Sequence, residues 1–383
     1  MPKVFCLFLL LLCAGWGYSQ DLNIGIFSNL QFSRATLTAR GDYDVYCNKN
    51  KIATLHSQQS VGLANANGKL QITVAGKTMV AEGTILVVPR KSNTQFQLQP
   101  LGAKTNGHVY EGYLKVFPVP EGLRCINVID LEHYVAGVIE AEAGGGELFE
   151  YYKVQAIISR TYALNNRRRH EAEGFELCDG THCQVYHGMP RREDLAIAAA
   201  ADTRELVIVD SDINLITAAF HSNCGGQTVN ASDVWSKSVP YLVSRPDSFC
   251  IAMPSSKWEK CFSMEEWDHY LEKKARYMDA DTEAFSPSRS YYQVDNCLYV
   301  STLSMRQDLK LRSTLFDVRP TGDKIQLMGR GFGHGVGLCQ EGAMQMAKHD
   351  YSYQDIIHYY YKDVHIIPLR RLDFFRDVTV NGE

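Results

Sequence analysis

The hydrophobic and polar positions of this chain change period once, near residue 125. From residue 22 to about 125, apolar and polar residues alternate in short runs, at 22–26, 43–46, 70–74 and 113–116. Turn residues separate the runs, and two of the breaks, at 65–68 and 104–107, carry the Asn-Gly dipeptide that favours a tight hairpin. Beyond this region the period lengthens. Leu148, Tyr152, Ala156, Ser159 and Ala163 recur at helical spacing and predict a helix with one apolar face of small residues. A helix through 195–200 follows, with strands at 206–209 and 216–220. Next come a charged, solvent-facing helix over 264–285 and a strand region opening at 309–316. Helices through 343–347 and 353–361 and a last strand at 364–367 complete the pattern. The expected fold class is α+β. A β-rich region over 20–124 precedes a mixed α/β core over 125–367, and 368–383 forms a tail.

Residues 1–19 stand outside this pattern. Lys3 precedes an apolar run from 4 to 14, and Gly17 and Ser19 place small residues where a signal peptidase would read them. The run is shorter than the roughly 20 residues needed to span a bilayer, and no later stretch is long and apolar enough. The expectation is a cleaved secretory signal and a mature chain in the cell envelope or outside the cell. Such a chain keeps nine of its 11 cysteines. An odd number in an oxidising compartment leaves at least one thiol free, metal-bound or paired with another chain. Spacing suggests a surface disulfide between Cys250 and Cys261, with Cys224 a competing partner, and pairing among Cys47, Cys125, Cys224, Cys250, Cys261, Cys297 and Cys339 stays open. The net charge of −4 argues against a nucleic-acid partner. The 383 residues suffice for one large core or two smaller ones. Twenty-one tyrosines supply flat amphipathic faces that suit sugar rings and packing alike.

Three stretches carry candidate chemistry. In the first, Glu142 precedes Gly144, Gly145 and Gly146, which allow a sharp turn and the approach of a bulky ligand. A half-buried acid there can hold its proton near neutral pH, as a general acid must. In the second, Cys178, His182 and Cys183 with His170, or His187 in reserve, offer the two thiolates and two imidazoles of a closed zinc site. The alternative for this loop is a Cys178–Cys183 disulfide. Further on, His221 and Ser222 lack the nucleophile elbow of a serine hydrolase. In the third, glycine falls at every second position from 329 to 337, with Arg330, Phe332, His334 and Val336 between. An extended chain would turn the glycines to one bare face and the side chains to the other. It lacks the spacing and the acidic partner of a dinucleotide fingerprint.

Together these stretches resemble the stage II sporulation protein D family, which includes the amidase enhancers. The resemblance rests on 134–142 with Lys153–Ala156 and Ser159–Ala163, on Thr181–Tyr186, on His221–Gly226 with Trp235 and Tyr241–Leu242, and on 329–343. Cys339 stands where the family usually has serine. At low grade it covers residues 24–367. In the register set by Gly137 and Val138, the family's catalytic glutamate falls on Glu142, not on its neighbour Glu140. The resemblance implies a zinc-binding loop at His170, Cys178, His182 and Cys183, and a cleft lined by His221, Gly225, Gly226, Trp235, Arg330 and His334. It also implies action on peptidoglycan strands stripped of stem peptides, as a lytic transglycosylase. Ordinary glycosidases need two carboxylates. Lytic cleavage can use one, because the sugar's own C6 hydroxyl attacks the anomeric centre and leaves a 1,6-anhydro product. The other readings are a non-catalytic, peptidoglycan-binding enhancer of an amidase and, in last place, a zinc hydrolase in which Glu142 serves a metal-bound water.

Overall fold

The computed structural model describes residues 20–81, 83–190, 194–235, 237–277, 290–295 and 297–372. The expected signal segment 1–19 and most of the tail lie outside the described residues. The alternating region forms twelve strands. These are β1 (Asp21–Ile26), β2 (Arg34–Arg40), β3 (Tyr43–Cys47), β4 (Asn50–Leu55), β5 (Ser60–Ala66) and β6 (Lys69–Val74). They continue with β7 (Lys77–Ala81), β8 (Ile85–Pro89), β9 (Gln95–Leu101), β10 (His108–Glu111), β11 (Tyr113–Val119) and β12 (Gly122–Asp130). Their inward positions are buried, as Ala35, Leu37 and Ala39 are on β2 and Phe96 and Leu98 on β9. One sheet runs β10-β9-β2-β5-β6-β7, and a seven-stranded sheet runs β13-β1-β12-β11-β8-β3-β4, where β13 is Leu177–Cys178. Asn67 and Gly68, both at positive φ, do form the predicted tight turn between β5 and β6.

Strand β12 leads directly into helix α1 (Leu131–Ala143), whose first turn is capped by Asp130 accepting from the Glu132 N–H at 2.9 Å. Helix α2 (Phe149–Asn165) packs on α1 and on α3 (Asp194–Asp202). The predicted one-sided face is too narrow a description. Tyr152, Ala156, Ser159 and Ala163 are buried, but so are Tyr151, Val154, Gln155, Ile157, Ile158, Arg160 and Thr161. Leu148 is the N-cap residue and 45% exposed. A helix enclosed on all sides must satisfy its polar groups internally, and α2 does so. The Gln155 amide donates to Ser159 at 3.1 Å, and Thr161 donates to the Ile157 carbonyl at 2.7 Å. One large core joins the strands to these helices.

Strand β14 (Leu206–Val209) follows α3 as expected and pairs with β23 (His365–Pro368). The expected strand over 216–220 reduces to β15 (Phe220–His221), which runs parallel to β22 (Leu338–Cys339), and α4 (Ala231–Trp235) follows it. A second, smaller core gathers Trp267, Leu271, Val300, Met305, Leu311, Ile325 and Leu327. Around it lie β16 (Lys257–Ser263), α5 (Met264–Lys274), β17 (Arg276–Tyr277), β18 (Tyr291–Asp295), β19 (Leu298–Ser301), α6 (Thr302–Asp308), β20 (Phe316–Thr321) and β21 (Lys324–Arg330).

Two expectations fail here. Helix α5 stops at Lys274, with 278–285 of the expected helix outside the described residues, and it turns Trp267 and Leu271 inward, so its charge pattern hid a buried stripe. Leu309 caps α6, so the predicted strand at 309–316 does not begin until Phe316. Helices α7 (Gln340–Lys348) and α8 (Tyr353–Tyr360) follow, ahead of β23. Among the described residues no helix is long and apolar enough to cross a membrane.

Candidate active site and metal cluster

Glu142 lies in the last turn of α1, not in a loop. The helix can approach its neighbours closely because residue 137 is glycine. A Cβ there would stand 2.3 Å from the Gly188 carbonyl oxygen and 2.7 Å from the Tyr186 ring. The helix ends at Gly144, where φ is +73° and the N–H bonds back to the Glu140 carbonyl at 3.0 Å. The Tyr152 hydroxyl ties off the turn by donating to the Gly144 carbonyl at 3.1 Å and accepting from the Glu147 N–H at 3.2 Å. Gly144 and Gly146 therefore serve a left-handed turn, while nothing crowds the space beside them.

The Glu142 carboxylate accepts a hydrogen bond from the Val185 N–H at 2.6 Å through Oε1. Burial raises its pKa above the ordinary carboxylate value, and the Val185 bond opposes that shift. It opens onto a cleft of about 710 Å³. His221, Trp235, Phe332 and His334 line the same cleft, as do His182 and Cys183. Trp235 and Phe332 are 40% and 42% exposed, so two aromatic faces are open to a ligand. The His334 ring lies 5.5 Å from that of Trp235 and 5.4 Å from that of His221. Its Nδ1 accepts from the Val336 N–H at 3.1 Å, and burial lowers its pKa to about 4, so the ring is neutral at pH 7. His221 Nδ1 donates to the Val336 carbonyl at 3.1 Å. Among the described residues lining the cleft, Glu142 is the one carboxylate.

The glycine-rich run is not an extended strip. Strand β21 ends at Arg330, and Gly331, Gly333, Gly335 and Gly337 all adopt positive φ, between +71° and +117°. The run therefore winds instead of alternating. At Gly337 a Cβ would stand 2.2 Å from the Ala219 carbonyl oxygen, so glycine is required there by both space and conformation. The winding buries Val336 and exposes Phe332. It also divides the expected cleft residues. Glu142, His221, Trp235 and His334 share the cleft, whereas Gly225, Gly226 and Arg330 line a separate depression of about 280 Å³.

The predicted Cys/His set does converge. The donor atoms of His170, Cys178, His182 and Cys183 all lie within 4.8 Å of one another. His170 Nε2 is 3.3 Å from His182 Nδ1 and 3.4 Å from Cys183 Sγ, and Cys178 Sγ is 3.9 Å from His182 Nδ1. The other ring nitrogen of His170 meets the Glu173 carboxylate at 2.5 Å, the outer contact that orients a ligating imidazole. The hydrogen bond from Cys183 leads in holding the Cys178 thiol down to about 4. These residues could hold a metal ion. His187 is not among them; its ring packs on His108 at 4.8 Å. Cys178 and Cys183 are both free thiols.

The suggested Cys250–Cys261 disulfide is not formed. Cys250 is buried with its sulfur 3.4 Å from that of Cys224, while Cys261 is exposed on β16 with its thiol toward Glu259. Spacing along the chain could not show that β16 carries Cys261 to another surface.

Several cleft residues escaped sequence reasoning. Tyr162, Asn166 and Arg169 line it, and their helical spacing at the end of α2 was a legible signal of one shared face. Gln340 also lines it, and the Val185 N–H grips Glu142; a backbone donor leaves no trace in a sequence.

Comparison with known proteins places the chain among relatives. Residues 120–209, which span α1, α2 and the Cys/His loop, match the family model described as stage II sporulation protein. An uncharacterized protein of Brachyspira hyodysenteriae is 27% identical over 360 residues, covering 90% of this chain and 94% of that one. The amidase enhancer of Bacillus subtilis is 25% identical over 284 residues, covering 59% of this chain and 39% of the enhancer. The stage II sporulation protein D of Bacillus subtilis is 30% identical over 255 residues, which cover 62% of this chain and 74% of that protein. With 30% identity over 74% of that protein, this chain belongs to the stage II sporulation protein D family.

Proposed function

We propose that this protein is exported to the cell envelope and cuts peptidoglycan glycan strands that lack stem peptides, as a lytic transglycosylase with Glu142 as its acid and base. The observation that carries this reading is a buried carboxylate whose pKa burial raises, the one carboxylate among the described residues lining a cleft that also holds exposed aromatic rings. A hydrolase of the usual two-carboxylate design needs a second acid about 5–9.5 Å away. One acid suffices when the nucleophile is the substrate's own C6 hydroxyl, already held next to the anomeric carbon. Glu142 gives its proton to the bridging glycosidic oxygen as that bond breaks, then takes the proton of the C6 hydroxyl as the new C–O bond closes. The Val185 N–H holds Oε1, which leaves the second oxygen to carry the proton. Trp235 and Phe332 stack on sugar rings, and His221 and His334 present polar edges to them. Gly225, Gly226 and Arg330 belong to the substrate surface through the second depression.

The reading includes a zinc ion held by His170, Cys178, His182 and Cys183. Four protein donors make a closed, structural site rather than a catalytic one. The ion would fix the loop that delivers the Val185 N–H, two residues beyond Cys183, to Glu142.

The test is mass spectrometry of the products from amidase-treated peptidoglycan. The wild type should release 1,6-anhydro sugars, and Glu142→Gln should stay folded and release none. Full activity in Glu142→Gln would remove Glu142 from the mechanism. The relationship to an amidase enhancer favours one second reading, a non-catalytic glycan-binding partner of an amidase. That reading predicts a wild type that sediments with peptidoglycan, raises amidase turnover and releases no anhydro sugars.

A further inference from the structure

Behind the cleft wall lies a second group of soft donors. Cys224, Asp247, Cys250 and Cys339 are all buried, and their donor atoms stand within 4.8 Å of one another. Cys224 Sγ is 3.4 Å from Cys250 Sγ and 3.2 Å from Asp247 Oδ2. They come from three separate stretches: the loop after β15, the segment around 247–250, and the N-cap of α7.

The spacing suits an ion better than a covalent bond. Around a tetrahedral zinc, with Zn–S about 2.3 Å and Zn–O about 2.0–2.2 Å, adjacent donors stand roughly 3.5–3.8 Å apart. A disulfide needs about 2.05 Å and would leave one thiol and the carboxylate of this set unused. Hydrogen-bond donors surround two of these atoms. Cys339 Sγ accepts from the N–H of Cys224 at 3.3 Å and of Gly342 at 3.4 Å, in the first turn of α7. Asp247 accepts from the Tyr360 hydroxyl at 2.9 Å and from the Phe249 N–H at 3.1 Å. Among the described residues no lysine, arginine or histidine forms an ion pair with Asp247, and coordination to a metal is one way a buried carboxylate is satisfied. Gly342 makes room for the carboxylate: a Cβ there would fall 2.4 Å from Asp247 Oδ2.

We propose that Cys224, Cys250, Cys339 and Asp247 bind one zinc ion, distinct from the ion assigned to the Cys/His loop. Three thiolates and a carboxylate select zinc over magnesium, calcium or manganese. A full set of buried protein donors makes the site structural. Its place gives it a purpose. Cys339 lies opposite His221 in the β15–β22 pair, and Cys224 is three residues beyond His221. The ion clasps the loop after β15 to the start of α7 and so fixes the wall that carries His221 and His334.

Zinc content, read without any glycan substrate, tests this independently of the proposed activity. The decisive protein is the full chain with Cys178→Ser and Cys183→Ser, purified with zinc present and counted by inductively coupled plasma mass spectrometry. It should retain one zinc per chain, and cobalt exchanged into it should show an intense thiolate-to-metal charge-transfer band. Adding Cys250→Ser and Cys339→Ser should remove both the ion and the band. A zinc-free protein after the first pair of substitutions would overturn the assignment. Should a variant fail to fold, the wild type decides. Cys224, Cys250 and Cys339 should resist alkylation until a strong chelator is added; a disulfide among them in non-reducing peptide maps, or alkylation unaffected by chelator, would refute the site.

Discussion

Arg160 offers the sharpest test of how the core positions the candidate acid. Its side chain is fully buried, and its guanidinium meets the Glu132 carboxylate with two nitrogens, Nε donating to Oε1 at 2.9 Å and a terminal nitrogen to Oε2. The same group donates to the Leu206 carbonyl at 3.1 Å and to the Ala200 carbonyl at 3.2 Å. One side chain thus ties α2 to the first turn of α1, to the end of α3 and to β14. Substituting methionine keeps an unbranched apolar stem but removes every donor. Glu132, with only 12% of its side chain exposed, is then left without its cation, a loss that typically costs about 3–5 kcal/mol. The two carbonyls add about 1 kcal/mol each where water does not replace the donor. Against a total stability of about 5–15 kcal/mol, Arg160→Met should move the urea midpoint far down. Glu132→Gln alone should cost about 3 kcal/mol or more, since it leaves the arginine buried and unpaired. The double variant should cost less than the sum by about 2–3 kcal/mol, the coupling expected of two groups in direct contact. Urea titration followed by far-UV circular dichroism measures all three. A loss below about 1 kcal/mol for Arg160→Met, or strict additivity, would refute the view that this pair clamps the helices.

His334 should make stability depend on pH. Its folded pKa of about 4 lies below the unfolded value of 6.5, so the unfolded chain binds the extra proton first as pH falls. Stability should be complete well above pH 6.5 and decline toward pH 4, by at most about 3.4 kcal/mol from this group. His334→Gln should flatten that part of the profile in thermal melts between those pH values. Gly137→Ala should cost about 1–3 kcal/mol or more by overpacking, because its Cβ meets the backbone of Gly188 and the ring of the fully buried Tyr186. The thermal midpoint reads that loss, and an unchanged midpoint would show that α1 can shift away from the 186–188 segment.

The local pattern determined what local physics controls. Alternation marked the strand-rich first part because a half-buried strand must alternate, and β2 and β9 do. Ligand type and loop closeness marked His170, Cys178, His182 and Cys183, which span 14 residues and need little tertiary help to meet. Glu142 was legible because carboxylate, glycine turn and helix follow one another directly. Tertiary structure decided the rest. Helix α2 reads as amphipathic, yet it is enclosed, because α1, α3 and β14 cover faces whose covering no local period can announce. The charge on α5 masked its buried Trp267 and Leu271 for the same reason. The glycine run reads as a strand, but four positive φ angles wind it and send Arg330 to one depression and His334 to another. Cys224, Cys250 and Cys339 lie up to 115 residues apart and meet only because the parallel β15–β22 pair joins their segments. Convergence over such separations is the work of the whole core, since each long-range contact depends on the loops and elements between having already found their places.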